Sequence, residues 1–277
     1  MKNTNLLFVV LAVTGLTTYS CTQNKNTSTG NPLISLNMTG GAAPATASLP
    51  KNKLWWLIDS ALAFSPPPTM NDLNNNAISL SEFWINIAEI EFKMSETPSS
   101  GEVDGSNIEF SGPYLINLFN TSPTALVSGE MAQNVVRRIK YKTKKVSGVS
   151  AGNPAGMANA SLYLTGTAAG NNFTLAMGEE VTFETAGANS VTFNTNDNLL
   201  LQVQTAEIIR NINLSALTNG AIISETNKIS ASNPCPVIDA SANDLYTCFI
   251  KAFQKKTKFG KDVNGDDSFN TGDETVN

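Results

Sequence analysis

No histidine occurs anywhere in the 277 residues. That absence removes Ser-His-Asp and Cys-His nucleophile pairs, zinc sites with imidazole ligands, and the commonest general base near neutral pH. Any catalysis must draw on carboxylates, lysine or tyrosine. The G-x-S-x-G spacing of Gly148-Val149-Ser150-Ala151-Gly152 therefore has no triad to join and is read as coincidence. Charge is also sparse, at 15 % of residues, with 18 Lys and Arg against 23 Asp and Glu. This mildly acidic balance argues against nucleic acid as a partner. Cysteine is limited to Cys21, Cys235 and Cys248.

What is present begins with an address. Lys2 gives a positive start, Leu6 to Leu16 is apolar, and Thr18-Tyr19-Ser20 precedes Cys21, the pattern of a secretory signal. The apolar run is about half the ~20 residues needed to span a bilayer. A cysteine directly after the cleavage point resembles a bacterial lipoprotein signal. The resemblance implies removal of residues 1–20, fatty acylation (palmitate) of Cys21, and anchoring to a bacterial membrane, at the outer membrane or cell surface. Ordinary cleavage at the same bond, leaving a soluble secreted or periplasmic protein, is the alternative. If Cys21 carries lipid, Cys235 and Cys248 remain as an even pair in an oxidising compartment and are expected to form a disulfide. Closing that short loop stabilises by about 3 kcal/mol in the chain-entropy model.

Residues 21–50 are rich in Thr, Ser, Gly, Ala and Pro and poor in aromatics. Such a window buries too little apolar surface to offset its ordering entropy, and it reads as a flexible tether. Order is expected from Leu54-Trp55-Trp56-Leu57-Ile58, a first buried strand ended by Pro66-Pro67-Pro68. In Ile78 to Met94 the apolar parity runs Phe83, Ile85, Ile87 and then switches to Ile90 and Phe92, as a β-bulge would produce. Val135 to Val146 alternates most clearly: Ile139, Tyr141 and Thr143 point one way, Arg138, Lys140, Lys142 and Lys144 the other. Further short apolar runs, punctuated by Gly and Asn turns, continue to Thr205. The spacing predicts a mainly β fold, a β-sandwich over residues 51–225 with a short C-terminal helix and a loop-rich tail.

The opening strand ending Ile58-Asp59, the strand Ile85 to Phe92, the piece Tyr114 to Leu118 and the basic strand Arg138 to Lys142 resemble a family of uncharacterised bacterial lipoprotein domains. That resemblance implies a transthyretin-like or immunoglobulin-like sandwich over roughly Leu54 to Leu214, and no activity.

Residues 226–277 read as a separate appendage. Leu245, Phe249, Ala252 and Phe253 fall at helical spacing within Ala242 to Lys256, with Ser241 as N-cap and Cys248 pinning the helix to Cys235. The tail then places oxygen-bearing side chains at positions one, three, five, nine and twelve of a loop: Asp262, Asn264, Asp266, Asn270 and Asp273. Ser268 at seven offers its carbonyl. That spacing suits calcium, as in an EF-hand loop. Asp-Val-Asn-Gly-Asp resembles the calcium loops of dockerin modules, with Asp267 where the turn glycine is expected and no exiting helix before Asn277.

Arg138, Lys140, Lys142 and Lys144 form a candidate face for anionic ligands, against the plainer reading of a solvated strand or an edge guarded by lysine. Trp55, Trp56 and Trp84 are read as core rather than as a sugar platform. Together these features predict a non-catalytic, membrane-anchored extracytoplasmic lipoprotein that binds a glycan or protein at the surface or serves the envelope, with structural calcium. The rivals are a carboxylate-based glycan hydrolase, to which Glu89 with Glu91 or Glu179 with Glu180 would contribute, and a calcium-dependent protein-interaction module.

Overall fold

The structure, a computed structural model, describes residues 33–40, 69–94, 108–119, 123–130, 135–148, 153–194, 197–270 and 272–276. In chain order its strands are β1 (Leu33–Thr39), β2 (Thr69–Asn71), β3 (Ala77–Met94), β4 (Ile108–Asn117), β5 (Thr124–Glu130), β6 (Val135–Thr143) and β7 (Leu162–Ala168). They continue with β8 (Asn171–Met177), β9 (Thr182–Thr192), β10 (Asn198–Val203), β11 (Ala221–Ile223), β12 (Thr257–Lys261) and β13 (Glu274–Thr275). Two helices interrupt them, α1 (Thr205–Arg210) and α2 (Leu245–Lys255). The fold is mainly β and sandwich-like, as its sequence periodicity implies. One sheet has five strands in the order β13-β12-β10-β1-β5, and the other has eight, built around β3.

β3 carries the larger sheet because its bulge lets one edge serve two partners. Ile85 pairs with Ile116 of β4 and Leu162 of β7, whereas Glu89 pairs with Ser111 of β4 and Lys142 of β6. β6 and β7 thus share one edge of β3 and part company at Asn86, between Ile85, paired with β7, and Ile87, paired with β6; just beyond, between Ile87 and Glu89, both the β4 and β6 registers shift. The apolar parity switches at the same place: Ile85 and Ile87 are buried before it, Ile90 and Phe92 after it. The extra residue keeps both halves of one 18-residue strand facing the same core. Buried Asn86 staples the fork. Its N–H donates to Ser161 O at 2.9 Å, and its side-chain Nδ2 donates to Lys144 O at 2.7 Å.

Two boundaries differ from the sequence reading. Inside the stretch expected to be a tether, β1 is the last strand but one of the smaller sheet, parallel to β10 and antiparallel to the edge strand β5. Ile34, Leu36 and Met38 are fully buried, so seven alternating residues overcome the polar composition around them. The C-terminal region, expected as an appendage, is also integral. β12 pairs along β10 from Leu199↔Lys261 to Val203↔Thr257. Phe253 of α2 lies 4.7 Å from Phe183 and 6.2 Å from Phe83, and Phe259 of β12 lies 5.7 Å from Phe92. A sandwich ending at residue 225 would lack these aromatic contacts. The described residues accordingly all belong to one unit, Asn31–Asn277.

α2 is capped by Asp244, not Ser241: its Oδ1 accepts the Thr247 N–H at 2.7 Å. Ser241 instead donates through both N–H and Oγ to Asp239 Oδ1, at 2.9 and 2.6 Å. Cys235 and Cys248 sit at disulfide distance with Cα atoms 5.8 Å apart, both fully buried. The expected strand Leu54 to Ile58, with Trp55 and Trp56, lies outside the described residues, as does Cys21. Among the described residues no helix is long and apolar enough to cross a membrane.

Candidate metal centre and the charged strand face

The last turn of chain is a β-hairpin. β12 runs up to Lys261, twelve residues follow, and β13 returns to pair Glu274 with Lys261 and Thr275 with Gly260. Val276, fully buried, donates its N–H to Phe259 O at 3.0 Å and so clamps the return strand. Position 260 must be glycine: a Cβ there would stand 2.0 Å from Glu274 O. The loop 262–273 is framed by two strands where an EF-hand has two helices.

Within that frame the side chains fold the loop onto itself. Asp262, only 7 % exposed, accepts the Gly265 N–H on Oδ1 at 2.8 Å and the Asp267 N–H on Oδ2 at 2.9 Å. Asn264 Oδ1 accepts the Asp266 N–H at 3.0 Å, and Asp266 Oδ1 accepts the Ser268 N–H at 3.1 Å. Asp273 closes the loop by accepting from Val263 N–H at 2.9 Å and Asn270 N–H at 2.8 Å. The amide of Asn270 donates to Asp266 Oδ2 at 2.6 Å, and that of Asn264 to Asn270 Oδ1 at 3.1 Å. Ser268 Oγ accepts from Gln202 Nε2 at 3.3 Å, tying the loop to β10.

The arrangement brings carboxylate oxygens of Asp262, Asp266 and Asp273 within 4.8 Å of one another. Among the described residues no Lys or Arg forms an ion pair with any of them, and Lys261, adjacent in sequence to Asp262, is bonded to Asp197 at 2.7 Å. Asp267 takes the left-handed conformation, φ +63°, in the place where EF-hands use glycine. Burial and then the charges of Asp262 and Asp266 hold its carboxyl above the usual range. All six residues singled out in the sequence, Asp262, Asn264, Asp266, Ser268, Asn270 and Asp273, are therefore gathered in one loop. What the sequence did not reveal is Gln202, which reaches it from another strand.

The basic strand looks different from its sequence. Ile139, Tyr141 and Thr143 are buried and the cations face outward, but β6 is an interior strand between β3 and β9, not an edge. Its neighbours carry acids in register. Glu91 stands opposite Lys140 and Glu89 opposite Lys142 on β3. On the β9 side Arg138 pairs with Glu184 at 3.2 Å, Lys140 with Glu184 at 3.7 Å, and Lys142 with Glu180 at 3.5 Å. Three of the four candidate anion ligands are thus occupied in a charge ladder, which weakens that face for anions. The carboxylates Glu89, Glu91, Glu180 and Glu184 belong to the same ladder. Lys144 lies beyond the end of β6 and outside it.

The chain matches no protein-family model, no curated protein and no solved structure.

Proposed function

We propose that this is a non-catalytic extracytoplasmic lipoprotein, anchored through lipid on Cys21, whose C-terminal hairpin takes up calcium as a structural ion. The observation that carries the calcium reading is the approach of the Asp262, Asp266 and Asp273 carboxylates to within 4.8 Å without a protein cation among the described residues. Like charges at that spacing repel, and a hard divalent cation with oxygen ligands converts the repulsion into attraction. Asp262, Asn264, Asp266, Asn270 and Asp273 would supply side-chain oxygens and Ser268 its carbonyl. A single exposed loop of this kind binds on the order of 10⁻⁴ to 10⁻³ M, suited to extracellular calcium.

The anchor reading rests on the leader sequence and on the cysteine pairing, which leaves Cys21 as the odd thiol. In this reading the sandwich displays a surface for binding or envelope structure, outside the cytoplasm. Calorimetric titration of calcium into the full chain, beside an Asp262→Ala/Asp266→Ala variant, tests the ion. Heat in the parent and none in the variant supports it; identical traces sink it. Intact-mass measurement of the membrane fraction tests the anchor, where an unacylated Cys21 would refute it.

A further inference from the structure

The fork in the larger sheet leaves a cleft. Because β6 and β7 separate at Asn86, and because β4 meets the bulge with Gly112 and Pro113 opposite the single residue Ala88, the outer face of β3 is uncovered there. Gly112 lets β4 pass close to the bulge, since a Cβ at that position would lie 2.3 Å from Ile87 O. The resulting cavity has a volume of 460 Å³ and is lined by Asn86, Pro113, Leu115, Lys144, Lys145 and Asn153 among others. That volume falls in the range of small-molecule sites, roughly 300–1,000 Å³.

We infer that this cleft binds a small organic carboxylate, independently of the calcium loop. Three observations converge on that chemistry. First, among the described residues its two charged lining residues are both lysines, and no Asp or Glu lines it. Second, Lys144 and Lys145 are exposed and form no ion pair among the described residues, whereas Arg138, Lys140 and Lys142 a few residues earlier are held by Glu180 and Glu184. Along this basic stretch, the ammonium groups that no described carboxylate holds are therefore those at the cleft. Third, the lysines share the cavity with an apolar wall of Pro113 and Leu115 and with the amide side chains of Asn86 and Asn153. Asn86 is 4 % exposed and fixed to Lys144 O, so the floor is rigid. Lysine ammonium groups serve any anion as point charges, but the apolar wall beside them gains only from a carbon skeleton, which an organic carboxylate has and inorganic phosphate lacks. The skeleton can be a sugar acid or an aliphatic acid.

Ligand-observed NMR titration of glucuronate, hexanoate, glucose and inorganic phosphate into the full chain at constant ionic strength decides it. Saturable binding of glucuronate alone identifies a sugar-acid site, of hexanoate alone an aliphatic-acid site, and of both a site that reads the carboxylate. Lys144→Gln/Lys145→Gln should weaken that binding by about tenfold with an unchanged melting curve, while Lys140→Gln/Lys142→Gln, which removes equal charge from the ladder, should leave it within about twofold. The inference is overturned if neither acid saturates, if glucose or phosphate binds as well as the acids, or if the two double variants lose affinity equally.

Discussion

Asp262 Oδ2 accepts the backbone N–H of Asp267 at 2.9 Å, although Asp267 stands at φ +63° and its own carboxyl adds to the negative charge around Asp262. The bond fixes a turn that suits glycine, using a residue that strains it. Asp267→Gly should therefore stabilise the calcium-free hairpin, by about 1 kcal/mol from conformation alone. Thermal melts in chelator are expected to shift upward by a few degrees; an unchanged or lower midpoint would contradict the strain.

Calcium itself should stabilise by mass action. At 10 mM ion and a dissociation constant near 1 mM, the gain is about 1.4 kcal/mol. Denaturant midpoints with calcium and with chelator check this in the parent, and the difference should vanish in Asp262→Ala/Asp266→Ala.

Asp72 is a buried carboxylate that accepts Asn74 N–H at 2.9 Å, Asn76 N–H at 2.8 Å, and Leu214 N–H at 2.9 Å. It holds the turn between β2 and β3 against the segment after α1. Asp72→Ala leaves those donors unpaired and should cost about 3 kcal/mol in urea unfolding. Asp72→Asn should recover part of the loss, because one oxygen can still accept.

Tyr246 of α2 donates its hydroxyl to Glu179. Burial first, then that hydrogen bond and the charges of Glu179, Glu225 and Asp244, push its phenol above the ordinary tyrosine range. A group whose pKa is raised on folding contributes stability that is present below its unfolded value, near 10, and lost as pH rises further. Unfolding measured from pH 8 to 11 should show this alkaline loss in the parent and a shallower one in Tyr246→Phe, whose neutral-pH cost should be about 1 kcal/mol.

Cys235→Ala/Cys248→Ala should lower stability by about 3 kcal/mol, the entropy of a loop spanning 13 residues. Chemical denaturation under non-reducing conditions measures it. Equal stability of the two proteins would mean that the buried sulfurs are not joined.

Local signals were legible in the sequence where the structure answers to local physics. The parity switch between Ile87 and Ile90, the two faces of β6 and the oxygen spacing of residues 262–273 each depend on neighbours along the chain. β1 escaped notice because seven alternating residues sit in a polar window, and their partner β10 lies far along the chain. β12 and β13 escaped for the related reason that strand pairing is a tertiary decision: Thr257–Lys261 has little alternation of its own. Asp244 took the cap from Ser241 because the helix begins at Leu245, the first of the spaced apolar residues, and not at Ala242. The basic strand misled because Glu184 of β9 and Glu180 just ahead of that strand, which occupy its cations, are distant in sequence. The cleft was invisible for the same reason, since Asn86, Pro113 and Lys145 meet only when β3 divides its edge.

The placement of β1 bears on how the molecule carries load. A pull entering the chain ahead of Leu33 reaches β1 between two partners, and five residue pairs with parallel β10, Ser35↔Asn198 through Thr39↔Gln202, lie along the line of force. Those bonds are strained together in shear, whereas a peripheral hairpin peels one rung at a time. A tug on the amino-terminal end thus meets a strand hydrogen-bonded on both sides rather than a free edge.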